Sequence, residues 1–339
     1  MAPKRIVISR TDSIGDVILT LPLAGVLKSR FPDCTVIFLG RQYTGPVIRA
    51  CSHVGSFVDW DEIRNLPRKE QVGFLTALAA DVVIHAFPVK EIAFLAKKAR
   101  IPVRIGTGRR WFHWFSCTRS LSFSRKNSSL HEAQLNLKLL SPLGIEKKFS
   151  FDEIAQNYGL KGKNPPLPNP LNALTTSARA TIILHPGSLG SAVEWGLENF
   201  VELIRILPPK KFKVFITGSK EEGKSFIPRI PFDDENVINL AGKLTLDELI
   251  IFIAGADALI AASTGPLHIA AATGILAIGL FSPRKPIHPG RWAPIGENAH
   301  ALVFDENCSG CKEGLICDCV KRIPPEKIKS LVEKHTLRL

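Results

Sequence analysis

Residues 261–271, AASTGPLHIAA, hold the residue types in this chain best suited to binding an anion. An apolar run over 257–260 stops at Ser263-Thr264, Gly265-Pro266 follow, and an alanine-rich helix opens behind them. A strand ending in Ser-Thr-Gly at a helix start offers backbone N–H groups without intrahelical partners, two hydroxyls and the positive end of a helix dipole. That combination suits a phosphate or a pyrophosphate. His268, one turn into the helix, adds a side chain able to hydrogen-bond an anion or carry a proton. An ordinary strand-to-helix turn beside a half-buried histidine would read the same way, because Gly-rich turns recur by chance.

Similar small-residue loops follow other predicted strands. Residues 5–9, RIVIS, read as a β-branched strand leading through residues 10–15 into an amphipathic helix with Val17, Leu21, Ala24, Leu27 and Phe31 on one face. Residues 35–39, 81–86 and 103–105 repeat the strand signal, with helices over 89–99 and 129–143, the latter stopped by Gly144. A Pro/Asn-rich break, KGKNPPLPNP, occupies 161–170 and is the clearest linker. The alternation then restarts, with strands over 181–184, 212–217, 258–261 and 276–281 and helices over 198–207 and 325–335. Thr245 and Glu248 form a capping box that opens one more helix.

A chain of 339 residues exceeds one typical core. Two runs of β-α units predict an α/β protein of two doubly wound, Rossmann-like domains with parallel sheets. Their expected limits are 1–165 and 175–320, with 321–339 as a terminal helix able to pack back on the first half. Ligands in such folds bind at the carboxyl ends of the strands. The loops at 12–16, 186–191, 218–222 and 263–265 fall there, so a cleft with the two sheets facing each other is the expected site.

The composition, 45% hydrophobic and 22% charged, is that of an ordinary globular protein. No apolar run reaches the roughly 18 to 20 residues a membrane helix needs. The longest, 269–281, is broken by Thr273 and two glycines. Arg10 and Asp12 arrive too early for the apolar core of a secretion signal, so a cytoplasmic location is expected. The net charge of +13 is concentrated: residues 90–148 carry thirteen Lys/Arg against Glu91, Glu132 and Glu146. Such a patch fits an acidic partner, whether anionic lipid headgroups, a phosphorylated saccharide or nucleic acid, or is simply a solvated surface. Trp111, Phe112, Trp114 and Phe115 lie beside Arg109 and Arg110 in RRWFHWF, which favours a membrane-interface or ligand-contacting loop. No nucleic-acid-binding motif accompanies the charge.

Of seven cysteines, Cys34, Cys51 and Cys117 are scattered. The others cluster as Cys308-x2-Cys311-x5-Cys317-x-Cys319. The C-x-C spacing fits a zinc ribbon poorly, so a reduced thiol cluster or a facultative disulfide is preferred to a metal site.

Four segments in this order, RTDSIGDVILTLPLAGVLKSRFP, HPGSLGSAVEWGLENF, TGSKEE and LAGKLTLDELIIFIAGADALIAASTGPLHIAAATG, resemble glycosyltransferase family 9. These are the ADP-heptose:lipopolysaccharide heptosyltransferases of the GT-B fold, and the resemblance spans nearly the whole chain. It implies that Asp16 is the general base on the acceptor hydroxyl, with Asp12 as the second choice. It implies that Thr264, Gly265 and His268 cradle the donor diphosphate, that Ser188 faces the same phosphates, that Glu222 accepts from ribose hydroxyls, and that Leu244 lies beside the base. An inverting transfer needs a base on the nucleophile and charge stabilisation on the departing diphosphate. The base helps late, as the hydroxyl proton becomes acidic in an oxocarbenium-like transition state.

Two departures stand out. Where the heptosyltransferases commonly carry a lysine two residues before the tryptophan at 195, this chain has Val193, followed by Glu194. Ser263 replaces an aspartate often found before Thr-Gly. Arg284, Lys285 or Arg291 could supply the missing cation.

The expected function is an inverting, metal-independent glycosyl transfer, without cofactor, at the cytosolic face of the inner membrane. A heptose or related sugar would move from a nucleotide-diphosphate donor to an anionic lipopolysaccharide core acceptor bound by the basic region, Arg109 and Arg110 included. A nucleotide-sugar epimerase or hydrolase of the same fold, and a non-catalytic nucleotide-sugar-binding protein, are the alternatives.

Overall fold

A computed structural model describes residues 2–125, 127–160, 179–313 and 317–336. The Pro/Asn-rich break at 161–170 lies outside them. The chain divides into two compact units, Met1–Lys163 and Asn164–Leu339.

The first unit is a six-stranded, wholly parallel sheet in the order β3-β2-β1-β4-β5-β6. Its strands are β1 Arg5–Ser9, β2 Thr35–Gly40, β3 Ser56–Asp59, β4 Val82–His85, β5 Val103–Thr107 and β6 Arg119–Leu121. The second repeats that order as β12-β11-β10-β7-β8-β9, also all parallel. Here the strands are β7 Ala180–His185, β8 Phe212–Ile216, β9 Val237–Asn239, β10 Ala258–Ala262, β11 Leu276–Phe281 and β12 Ala299–Val303. Central strands are buried on both faces, which is why β1, β10 and β11 read as continuous apolar runs rather than alternating ones. In each unit the connection reverses direction between the two middle strands, β1 and β4 or β7 and β10. The carboxyl ends of those pairs are where a doubly wound sheet opens a crevice.

Two elements differ from expectation. The helix predicted after residue 15 is two helices, Ile14–Ile18 and Pro22–Arg30. Pro22 has no N–H to continue the first helix, and its fixed φ suits the first turn of the second. The helix over 129–143 is α-helical only across Glu132–Leu137 and tightens to a 3₁₀ turn over Lys138–Leu143, where Pro142 sits. The terminal helix, Pro325–Thr336, buries Ile328 and Val332 in the core of the second unit with Trp195, Phe200 and Leu203.

The helix Gly265–Thr273 is enclosed nearly all round, with Leu267 through Ala272 buried. Gly296 lies against it so closely that a β-carbon there would collide with the carbonyl oxygen of Ala271. None of the helices among the described residues is long and apolar enough to cross a membrane.

Candidate functional site

In the first unit, β1 ends by delivering Arg10, whose side chain is 3% exposed, into a ring of acceptors. Its Nε donates to Asp12 Oδ1 at 2.7 Å, Nη2 donates to Asp16, and Nη1 donates to Glu132 and to Asn136 Oδ1 at 3.4 and 3.2 Å. Arg125 makes a second ion pair with Glu132. Burial works against the Arg10 charge, but Asp16, Asp12 and Glu132 outweigh it and hold the guanidinium above its ordinary pKa. At Asp12 burial, with repulsion from Asp16, overcomes Arg10 and lifts the carboxyl to about 6.

Asp16 is in the first turn of Ile14–Ile18, where Ser13 is the N-cap. The Ser13 hydroxyl donates to Asp16 Oδ2 at 2.6 Å while Arg10 takes Oδ1. Each carboxylate oxygen has two acceptor directions, so each retains one for a third partner. Asp16 therefore has the geometry of a fixed, partly exposed proton acceptor. Arg10 and Glu132 were not singled out in the sequence. The signal for Arg10 was present, as Arg-x-Asp-x3-Asp directly after a buried strand; Glu132 joins from 122 positions away and had none.

Behind this ring lies a buried polar pair. His85, at the end of β4, and His113 have ring centroids 5.4 Å apart. Neither ring nitrogen of His85 has a hydrogen-bond partner among the described residues, and burial drives its pKa down to about 3.

Arg109 and Arg110 are exposed, and the short helix that follows, Trp111–Ser116, turns Trp111, Trp114 and Phe115 outward at 55%, 66% and 60% exposure. Lys90 sits 4.9 Å from the Trp111 ring centre, and Phe112 alone of the four aromatics is buried. Farther along the basic region, a cavity of about 640 Å³ is lined by Lys138, Lys147 and Lys148 together with Phe123, Ile145 and Phe149.

In the second unit, β7 and β10 pair so that His185 lies opposite Ala261. Their loops, 186–191 and 263–265, therefore start side by side. Thr264 is the N-cap of Gly265–Thr273 and is 7% exposed, yet its hydroxyl has no hydrogen-bond partner among the described residues. The amides of the first helical turn cannot be satisfied within the helix, and Pro266 has none to satisfy. His268 is buried one turn in, its N–H on the Thr264 carbonyl at 3.4 Å. Thr264, Gly265 and His268 thus form one corner.

Glu222 comes from the next loop. It closes a capping box on Lys220–Phe226, accepting from the Ser219 N–H at 2.8 Å while Ser219 Oγ accepts from the Glu222 N–H at 3.1 Å. Its other oxygen lies against Gly187, where any β-carbon would collide with it. His185 Nδ1 meets Thr217 Oγ1 at 3.0 Å, and burial, only partly offset by Glu222, lowers its pKa to about 4. Gly242, at φ +69°, turns the chain against Lys220, and Leu244, two residues on, is half-buried.

Ser188 is buried, and its hydroxyl is spent locally, 2.8 Å from Glu194 Oε1 and 3.2 Å from the Ala192 carbonyl. Glu194 is thereby folded back onto its own loop. Val193 packs against the core of the unit, so the position that carries a lysine in the resembling sequences is apolar in use here as well as in type. Of the substitute cations, Lys285 is exposed and Arg284 half-buried.

Comparison with known proteins identifies the family and the fold. The model of glycosyltransferase family 9 (heptosyltransferase) matches residues 74–316. Lipopolysaccharide heptosyltransferase 3 of Escherichia coli (strain K12) is 24% identical over 300 residues, covering 84% of this chain and 83% of its own. Among solved structures, the family 9 glycosyl transferase from Veillonella parvula DSM 2008 superposes with a TM-score of 0.79 at 20% identity, covering 99% of this chain and 98% of that one. E. coli heptosyltransferase WaaC with ADP gives 0.74 at 18% identity, over 98% and 99%. With two Rossmann-like sheets of the GT-B type and this match over most of its length, the chain belongs to glycosyltransferase family 9 and is a glycosyltransferase.

Proposed function

We propose that the protein transfers a heptosyl group from ADP-heptose to a lipopolysaccharide core acceptor, with inversion at the anomeric carbon. The acceptor oxygen forms a bond to the anomeric carbon as the bond to the diphosphate breaks. The hydroxyl proton passes to Asp16 and the nucleoside diphosphate leaves as an anion. The single observation that carries this reading is the unpartnered hydroxyl of Thr264. Burying a hydroxyl without a partner costs about 1–3 kcal/mol, and it is tolerated here beside a helix start whose first amides have no acceptor within the helix. A diphosphate satisfies both, with no metal ion needed to offset its charge.

Arg10 acts as a positioning residue, fixing one oxygen of Asp16 and leaving the other lone pairs to the acceptor. Glu222, Leu244 and His268 serve the nucleotide, and Glu222 does so from a carboxylate already fixed by its capping box. The base is adenine in this reading, because WaaC was solved with ADP. Arg109 and Arg110 meet the anionic acceptor, and Trp111, Trp114 and Phe115 hold that face at the inner surface of the membrane where a lipid-anchored acceptor resides.

The test is a thermal-shift series of ADP-, GDP- and UDP-sugars, followed by transfer assays on truncated core acceptors. ADP-heptose is expected to stabilise the protein and to be consumed only when acceptor is present. Stabilisation by UDP-sugars alone would overturn the donor, and donor turnover without acceptor would make the protein an epimerase or hydrolase.

A further inference from the structure

The sequence spacing of Cys308, Cys311, Cys317 and Cys319 argues against a zinc ribbon, but the fold brings all four sulfurs to one point. We propose that these four cysteines form a closed tetrathiolate site for a tetrahedral divalent transition ion, zinc being the ion such ligands take most readily.

All four Sγ atoms lie within 4.8 Å of one another. Cys308 caps the helical turn Ser309–Lys312 and Cys311 is inside it, so these two project from one side of a single turn. Cys317 and Cys319 arrive from the following segment, and Cys319 opens the 3₁₀ turn Cys319–Arg322. Cys308 Sγ is 3.3 Å from Cys317 Sγ, and Cys311 Sγ is 3.1 Å from Cys319 Sγ. A disulfide is about 2.05 Å, and a tetrahedron with metal–sulfur bonds of about 2.3 Å has edges of about 3.8 Å. The observed separations and the 4.8 Å limit bracket that edge.

Apolar packing does not account for the arrangement. A cysteine can fill space as a small hydrophobe, but that use does not make four thiols converge on one centre. Cys311 and Cys319 are buried at 2% and 3% exposure in the core of the second unit, with Cys308 and Cys317 half-buried at its edge. The Ser282 hydroxyl, just past β11, is 3.2 Å from Cys311 Sγ and can donate to a thiolate there. Binding releases four protons: M²⁺ + 4 RSH → [M(SR)₄]²⁻ + 4 H⁺. All four positions are filled by protein, so the ion has no open site for chemistry.

Its consequence is mechanical. The segment after Cys319 offers the Ile323 carbonyl to Trp195 Nε1 at 2.9 Å and the Lys321 carbonyl to Asn199 Nδ2 at 2.7 Å. Trp195 ends the loop that carries Ser188 and Glu194. The four-residue turns on either side are too short to hold that strap alone, and a metal knot fixes it to both the loop and the end of β11.

The experiment is elemental analysis of the full chain, purified with reductant and without chelator, then reconstituted with one equivalent of Zn²⁺ or Co²⁺. About one tightly held ion per chain is expected, with the Co²⁺ form showing the intense visible bands of a tetrahedral thiolate site. Cys308→Ser and Cys311→Ser should each lose the ion, whereas Cys117→Ser should keep it. Iron at the same stoichiometry, lost with the same substitutions, supports the site equally. Wild-type protein that neither carries nor takes up metal would overturn the proposal without recourse to any variant. So would retention of the ion in Cys311→Ser, or Cys308–Cys317 and Cys311–Cys319 disulfides in freshly isolated protein.

Discussion

Arg10 and Asp16 form an ion pair at the end of the central strand of the first unit, the arginine side chain 3% exposed and the aspartate 17%. The arginine orients the carboxylate, and the remaining exposure leaves it open to a hydroxyl. Asp16→Asn keeps an acceptor oxygen and the shape but cannot take a proton. Its kcat should fall about 10²- to 10⁴-fold, the usual share of a general base, with donor KM nearly unchanged. Full activity in this variant, in an assay of nucleoside diphosphate release, would sink the assignment.

Thr264→Val removes the buried hydroxyl at almost constant volume. A ligand-free protein relieved of an unsatisfied group should be as stable as wild type or slightly more so, while donor KM rises about tenfold or more, since a charge-assisted hydrogen bond contributes about 1.5–3 kcal/mol. Melting curves with and without donor separate the two effects. A loss of ligand-free stability with unchanged KM would make the hydroxyl a structural group.

Glu222 caps a helix, and in the proposed reading it also accepts from the ribose; two substitutions separate these roles. Glu222→Gln can still accept from the Ser219 N–H, so stability should hold while the charge facing the ribose is lost. Glu222→Ala should cost a further ~1 kcal/mol by removing the capping box. Equal donor affinities for wild type and Glu222→Gln would leave only the cap.

Acid should destabilise the protein well above the usual carboxylate range. His85 and His185 are held neutral by burial, near 3 and 4, against about 6.5 when unfolded. Between those values the unfolded chain binds the extra protons, so stability falls as pH falls. Asp12, raised to about 6, acts oppositely by taking its proton first in the folded state. From pH 6 to 4, two histidines against one aspartate leave a net loss of about 1.4 kcal/mol per pH unit. His113, also lowered by burial, adds to the loss. Melting temperatures across pH 4–7 measure this, and a flat profile contradicts it.

Neutralising Arg109 and Arg110 should raise acceptor KM while leaving donor KM alone. Replacing Trp111, Trp114 and Phe115 with serine should reduce co-sedimentation with vesicles containing anionic lipid. Unchanged acceptor KM would remove the two arginines from acceptor binding.

The central strands were legible because a parallel sheet buries them on both faces and leaves unbroken apolar runs. The edge strands β3, β6, β9 and β12 were not. They are short and partly exposed, and β6 is three residues reading Arg-Ser-Leu. The loops at 12–16, 186–191, 218–222 and 263–265 were legible from small residues at strand ends. What those residues bond to was not. Glu194 folding onto Ser188, and Glu132 reaching Arg10, depend on contacts that no local pattern encodes. The clustering of the four late cysteines was legible from their spacing, but the convergence of all four sulfurs within 4.8 Å was not.

Gly296 never approaches the phosphate corner, yet it closes the space behind the helix that supplies it. A methyl group there would press on the backbone of Ala271, near the far end of a helix whose neighbours leave it little room to yield. A residue remote from the Thr264 corner thereby limits how far the helix that begins there can shift.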